Sequence, residues 1–134
     1  MKYLKIILTV IVVFSFLKSK SQVDSSLFTT WTLISVEKDS NSYILPHKLT
    51  VRFKPNNFSY YSQIDSLKKT DCGGNVTYTK DSIITQVTAC HKHSYLPWPS
   101  LYKNPDKVFA GSYLIQGNTL TISNKGLKYS LVKQ

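Results

Sequence analysis

Hydrophobic and polar residues alternate along most of this chain with a period of two. Trp31, Leu33 and Ser35 fall on one side while Thr32, Ile34 and Val36 fall on the other; Leu49, Val51 and Phe53 alternate with Thr50, Arg52 and Lys54. Successive side chains of a strand point to opposite faces, so such runs predict half-buried β-strands. The same period returns at Phe58 and Tyr60, at Val76 and Tyr78, and at Ile83, Thr85, Val87 and Ala89. It continues at Tyr113 and Ile115, at Leu120 and Ile122, and at Leu127, Tyr129 and Leu131. No run of any length carries a helical stripe.

Short turn sequences separate these runs: Lys54-Pro55-Asn56-Asn57, Gly73-Gly74-Asn75, Lys80-Asp81, Gln116-Gly117-Asn118 and Asn124-Lys125-Gly126. They are rich in residues that tolerate positive φ or favour turns, so consecutive strands are expected to pair antiparallel. The predicted fold is mainly β, a small antiparallel sheet coiled into a barrel-like meander of about eight strands, closed or nearly so because open edges invite aggregation. One stretch breaks the alternation. Residues 94–108 hold three of the five prolines, which exclude an interior strand and predict a short helical or proline-rich segment. That segment reads either as a lid over one end of the barrel, plugged by Trp98, Leu101 and Tyr102, or as a contact platform built on Trp98 and Tyr102.

The first residues follow a different pattern. Lys2 and Lys5 precede the apolar run Ile6 to Leu17, and Ser19-Lys20-Ser21 places small residues at the cleavage positions. The run is shorter than the roughly 20 residues that cross a bilayer as a helix. Residues 1–21 are therefore expected to be a signal peptide and 22–134 a single β-domain, located in the periplasm, cell envelope or extracellular space. A lipoprotein anchor would need a cysteine at the end of the apolar run, and the first cysteine is Cys72.

Charge adds a second distinction. Seventeen Lys and Arg against seven Asp and Glu give +10 over 134 residues, and removal of Lys2, Lys5, Lys18 and Lys20 with the leader lowers this to +6. The excess lies in the C-terminal third, where Lys92, Lys103, Lys107, Lys125, Lys128 and Lys133 face Asp106 alone. Export argues against nucleic acid as the partner of this basic surface. An anionic envelope polymer or a membrane surface fits it better, and solubility alone would also account for it.

Export also bears on the cysteines. In an oxidising compartment Cys72 and Cys90 are expected to form a disulfide, closing a loop of about 19 residues and contributing on the order of 3 kcal/mol. With His91 and His93 the pair could instead be read as a zinc site, but Cys90-His91-x-His93 puts adjacent residues on opposite faces of a strand. His91 and His93 alone would make only a weak metal site, so no cofactor is expected. Catalysis lacks parts as well. No serine sits in a Gly-x-Ser-x-Gly elbow, oxidised cysteines cannot attack, and most of the few acidic residues flank predicted turns. The chain reads as a non-enzyme. Asn57-Phe58-Ser59 and Asn75-Val76-Thr77 fit the glycosylation acceptor pattern.

Several of these pieces together resemble the META-domain family, the HslJ-like group of small exported bacterial proteins. Trp31-Thr32-Leu33 is similar to its opening Trp-x-Leu strand, and Leu49-Thr50-Val51-Arg52-Phe53 to its second strand. Asp71-Cys72-Gly73-Gly74-Asn75 with Tyr78 looks like its Gly-Cys-Asn turn, Thr88-Ala89-Cys90 like the strand that closes on Ala-Cys, and Tyr113 to Ile122 like its final hairpin. The family's helix after the second cysteine is replaced here by the segment around Trp98. The resemblance implies a compact β-rich envelope protein with its two cysteines on neighbouring strands and no established catalytic residues. A second resemblance is to small lipocalin-like proteins, which also open with a Trp strand and end in a Tyr-x-Ile-x-Gly-x-x-Leu-x-Ile hairpin.

Three functions follow as expectations. The first is a monomeric, disulfide-stapled envelope domain that works by binding or by envelope and stress maintenance, with Trp98, Tyr102, Lys103, Lys107, Lys125 and Lys128 as contacts. The second is a lipocalin-like carrier holding a small apolar ligand among Trp31, Phe53, Tyr60, Tyr78 and Tyr129. The third is an inhibitor of a secreted enzyme that uses Pro97-Trp98-Pro99 as a wedge.

Overall fold

A computed structural model describes residues 22–63, 69–91 and 105–134. The predicted leader 1–21 lies outside the described residues, as do His93, Pro97, Trp98, Pro99, Leu101, Tyr102 and Lys103. Among the described residues there are eight strands: β1 (Thr30–Lys38), β2 (Asn41–Phe53), β3 (Asn57–Gln63), β4 (Lys69–Tyr78), β5 (Ser82–Cys90), β6 (Gly111–Gln116), β7 (Thr119–Asn124) and β8 (Leu127–Lys133). Each pairs with its neighbour in sequence, and β8 returns to β1, so the sheet closes into an up-and-down antiparallel barrel. Two 3-10 turns, Ser25–Leu27 and Pro105–Lys107, complete the described elements. The second falls inside the stretch where a short helical segment was expected.

The inward positions fill the barrel. Trp31, Leu33, Leu49, Val51, Phe53, Phe58, Tyr60, Cys72, Val76, Ile83, Leu120, Ile122, Tyr129 and Leu131 are buried, each on the apolar side of its strand. One end is stoppered by Leu27 from the first 3-10 turn. Asp24 starts that turn by accepting a 2.9 Å hydrogen bond from the Ser26 amide, and the Trp31 indole donates to the Leu27 carbonyl at 3.0 Å. An indole N–H must find a partner when its ring is buried, so this bond lets Trp31 sit fully inside. The other plug is Phe109, beside Val108, both buried. Phe109 packs edge-on against Tyr60 at 5.5 Å and at a tilt against Tyr129 at 4.9 Å, extending the aromatic row Phe53, Phe58, Tyr60.

Three departures from strict alternation have a local cause. The register shifts between Leu33 and Ser35, so Val36 joins Trp31 and Leu33 inside while Ile34 is left 45% exposed. A bulge resets the phase of a strand, which a period of two cannot anticipate. Opposite that bulge β2 loops out over residues 45–48 between the pairs Ser35↔Ile44 and Leu33↔Leu49. This lets the strand pass through Pro46 and start at Asn41, eight residues before the alternation at Leu49 announced it. Finally, Gly73-Gly74-Asn75 makes no turn: it lies within β4, where the register with β5 shifts between Gly73 and Gly74. A Cβ on Gly74 would overlap the carbonyl oxygen of Gln86, so the glycine serves close approach of two strands.

Candidate binding groove and disulfide

Cys72 and Cys90 stand directly opposite each other on β4 and β5 and are bonded, with their Cα atoms 4.1 Å apart. The next pair outward is hydrogen-bonded through the His91 amide and the Asp71 carbonyl at 2.8 Å. The cysteines thus occupy a non-hydrogen-bonded pair, the type in which opposing side chains lie closest. Their environments differ: Cys72 belongs to the core, whereas Cys90 is exposed. His91 is exposed beyond the end of β5. Among the described residues no three His, Cys, Asp or Glu side chains gather as metal ligands.

Lys125 and Lys128 come together on the outside of the barrel, in an open groove of about 530 Å³ where the β1–β2 and β7–β8 turns meet. Both turns run through left-handed backbone, Asp39 and Ser40 at φ 49° and 70°, Lys125 and Gly126 at 45° and 81°. Two successive residues with positive φ match the right-handed twist of the flanking strands and close a two-residue hairpin. The turns are tied to each other. The Asp39 amide donates to the Gly126 carbonyl at 3.1 Å, and a Cβ on Gly126 would stand 2.6 Å from Asp39 Oδ1. The Asp39 carboxylate can swing aside from a side chain at position 126, so it is the left-handed backbone at φ 81° that favours glycine here.

The groove is not purely basic. Glu37 and Lys128 are a cross-strand pair between β1 and β8, and their side chains form a 3.0 Å ion pair. Asp39, Ser112 and Ser123 add further polar groups to the wall. Glu37 and Asp39 come from the N-terminal third, so the charge asymmetry read along the chain is offset here by chain closure. Lys107 lies elsewhere, exposed in the 3-10 turn beside β5. The Asp39-Ser40 turn carries a readable signal, Lys-Asp-Ser-Asn between two alternating runs, but it lacks the glycine that marks the turns at Gly117 and Gly126.

At the opposite end two phenols fasten turns to the barrel. Tyr78 donates to the Lys54 carbonyl at 2.7 Å and Tyr113 to the Lys80 carbonyl at 3.1 Å. Burial pushes the Tyr78 hydroxyl well above the usual phenol range, with a smaller contribution from neighbouring Tyr113. Phe28 packs edge-on against Tyr78 at 5.3 Å. Comparison with protein families, curated proteins and solved structures found no match to this chain.

Proposed function

We propose that this protein is an exported, disulfide-stapled β-barrel that works by binding through its outer surface at the cell envelope, without chemistry of its own. One observation carries the reading. Of the five side chains expected to surround a carried ligand, Trp31, Phe53, Tyr60 and Tyr129 are each 3% exposed or less and Tyr78 is half-buried, and the row through Phe58 and Phe109 packs Phe53, Tyr60 and Tyr129 together. A barrel that holds a ligand needs small side chains on at least one wall. Contact with a partner is then left to the exterior, where the groove at Lys125 and Lys128 joins cations, carboxylates and hydroxyls. The META-like pieces of the sequence and the apolar leader are consistent with an envelope location.

The experiment replaces Lys103, Lys107, Lys125 and Lys128 together with Gln and measures cosedimentation with anionic vesicles and with isolated cell-wall polymer. Weaker association at an unchanged unfolding midpoint is expected, with the wild-type signal fading as salt shortens the Debye length to about 8 Å and below. Unchanged association overturns the reading. Recovery of a secreted chain beginning at Gln22 checks the export step.

A second reading, a lipocalin-like carrier, is favoured by strand order: eight up-and-down strands with the first closing on the last is the topology lipocalins use. Saturable binding of a hydrophobic fluorophore would bring it to the front.

A further inference from the structure

The barrel wall is thin at one seam. Among the described residues β5 meets β6 only through Ser82↔Ser112 and Ile83↔Gly111, so from Ile84 to Cys90 the ladder they form with it runs on the β4 side. On that side the register breaks between Gly73 and Gly74. Beyond the break the described residues form two pairs, Gly73↔Ala89 and Cys72↔Cys90, followed by the hydrogen bond from the His91 amide to the Asp71 carbonyl. The disulfide is therefore the covalent clasp of a strand end that, among the described residues, pairs on one side and across a register break. Its neighbours lead inward. Cys72 is paired with Tyr60 on β3, and the Tyr60 ring packs on Phe109, the plug carried by the segment after the second 3-10 turn. That segment is fastened to β5 by the Thr85 hydroxyl.

The two cysteines are not equivalent towards solvent. Cys72 is 6% exposed and belongs to the core cluster, whereas Cys90 is exposed. Thiol–disulfide exchange goes by in-line attack of a thiolate on one sulfur, with the other leaving, and access decides which is attacked.

We propose that Cys72–Cys90 is a site of thiol–disulfide exchange with a dithiol partner, entered at Cys90, and that its opening loosens the β5 seam and the Phe109 plug while the rest of the barrel stays paired. A partner thiolate bonds to Cys90 Sγ as the Cys72–Cys90 bond breaks, and Cys72 leaves as a thiolate that takes up a proton. The partner's second thiolate then displaces Cys90 Sγ and closes the partner's own disulfide. Two electrons pass from the dithiol to the protein, which ends with two thiols. The strands that close the barrel, β1, β2, β7 and β8, pair with one another rather than with either cysteine and keep their ladders. The inference is independent of which outer surface binds a partner.

The test treats the folded, oxidised protein with dithiothreitol at neutral pH without denaturant and follows hydrogen exchange by peptide. Reduction should speed exchange at least about tenfold in peptides from residues 84–91 and 105–110 and leave those from 30–38 and 127–133 unchanged. Reaction with a single-thiol reagent, followed by peptide mapping, should place the mixed disulfide on Cys90. Resistance to reduction until the whole protein unfolds overturns the proposal, and so does reduction with exchange unchanged everywhere or raised everywhere. An adduct on Cys72 overturns entry at Cys90.

Discussion

The hydroxyl of Thr85 donates a 2.7 Å hydrogen bond to the carbonyl of Val108, both residues being 1% exposed. Where β5 and β6 lack ladder pairs, this side-chain bond holds the segment before β6 against the strand. Thr85→Val keeps the shape and leaves a buried carbonyl without its donor. A loss of about 1–3 kcal/mol is expected by denaturant unfolding, with Thr85→Ser losing clearly less. Equal stability of Thr85→Val and wild type would show that this bond does not hold the segment.

Phe109 places its ring in the core from a backbone at φ 59°, a region that costs a residue with a Cβ about 1–2 kcal/mol. Removing the ring in Phe109→Ala should cost about 3–5 kcal/mol. Phe109→Gly loses the same ring but relieves the backbone, so it should be at least as stable as the alanine variant. A thermal midpoint clearly below that of Phe109→Ala contradicts the strain.

The paired glycines of β4 differ in tolerance. A Cβ at Gly73 would lie 3.1 Å from the Phe58 carbonyl oxygen, a contact that a small shift accommodates, whereas at Gly74 it would overlap the Gln86 backbone. Gly74→Ala should therefore destabilise far more than Gly73→Ala and slow oxidation of Cys72 with Cys90, read by thiol trapping during refolding. The reverse order would remove the close-approach explanation.

Glu37 and Lys128 form their ion pair with side chains 36% and 48% exposed. A double-mutant cycle with Glu37→Gln and Lys128→Gln should give a coupling below about 1 kcal/mol that fades with added salt. A larger, salt-insensitive coupling would mean that the groove is far drier than its open shape implies.

Burial, and after it the charge of Asp106, push the Tyr60 hydroxyl up to about 12 from the usual 10.0. Below pH 10 folded and unfolded chains both hold this proton. Between 10 and about 12 the unfolded chain releases it first, so stability falls as pH rises through that window. Tyr60→Phe should flatten this decline in alkaline unfolding curves; an unchanged slope would count against a buried phenol.

Much of this architecture is legible without coordinates. Alternation at Leu49, Val51 and Phe53, at Leu120 and Ile122, and at Leu127, Tyr129 and Leu131 marks strands and inward faces, because a strand with one wet face needs apolar residues at every second position. The turns at residues 117–118 and 125–126 carry the glycines that left-handed backbone favours. Two cysteines leave only one intrachain pairing.

What needed the tertiary structure is whatever depends on strands distant in sequence. The bulge at Leu33 and Ser35 puts Val36 rather than Ser35 inside, because the local register answers to β2 and β8 together. Gly73-Gly74 looks like a turn until β5 is laid against it. Glu37 and Asp39 reach the groove of Lys125 and Lys128 only because β8 closes on β1, joining residues about ninety positions apart. Local pattern decides which residues face inward along each strand; which strands meet, and which charges then face one another, is set by closing the sheet.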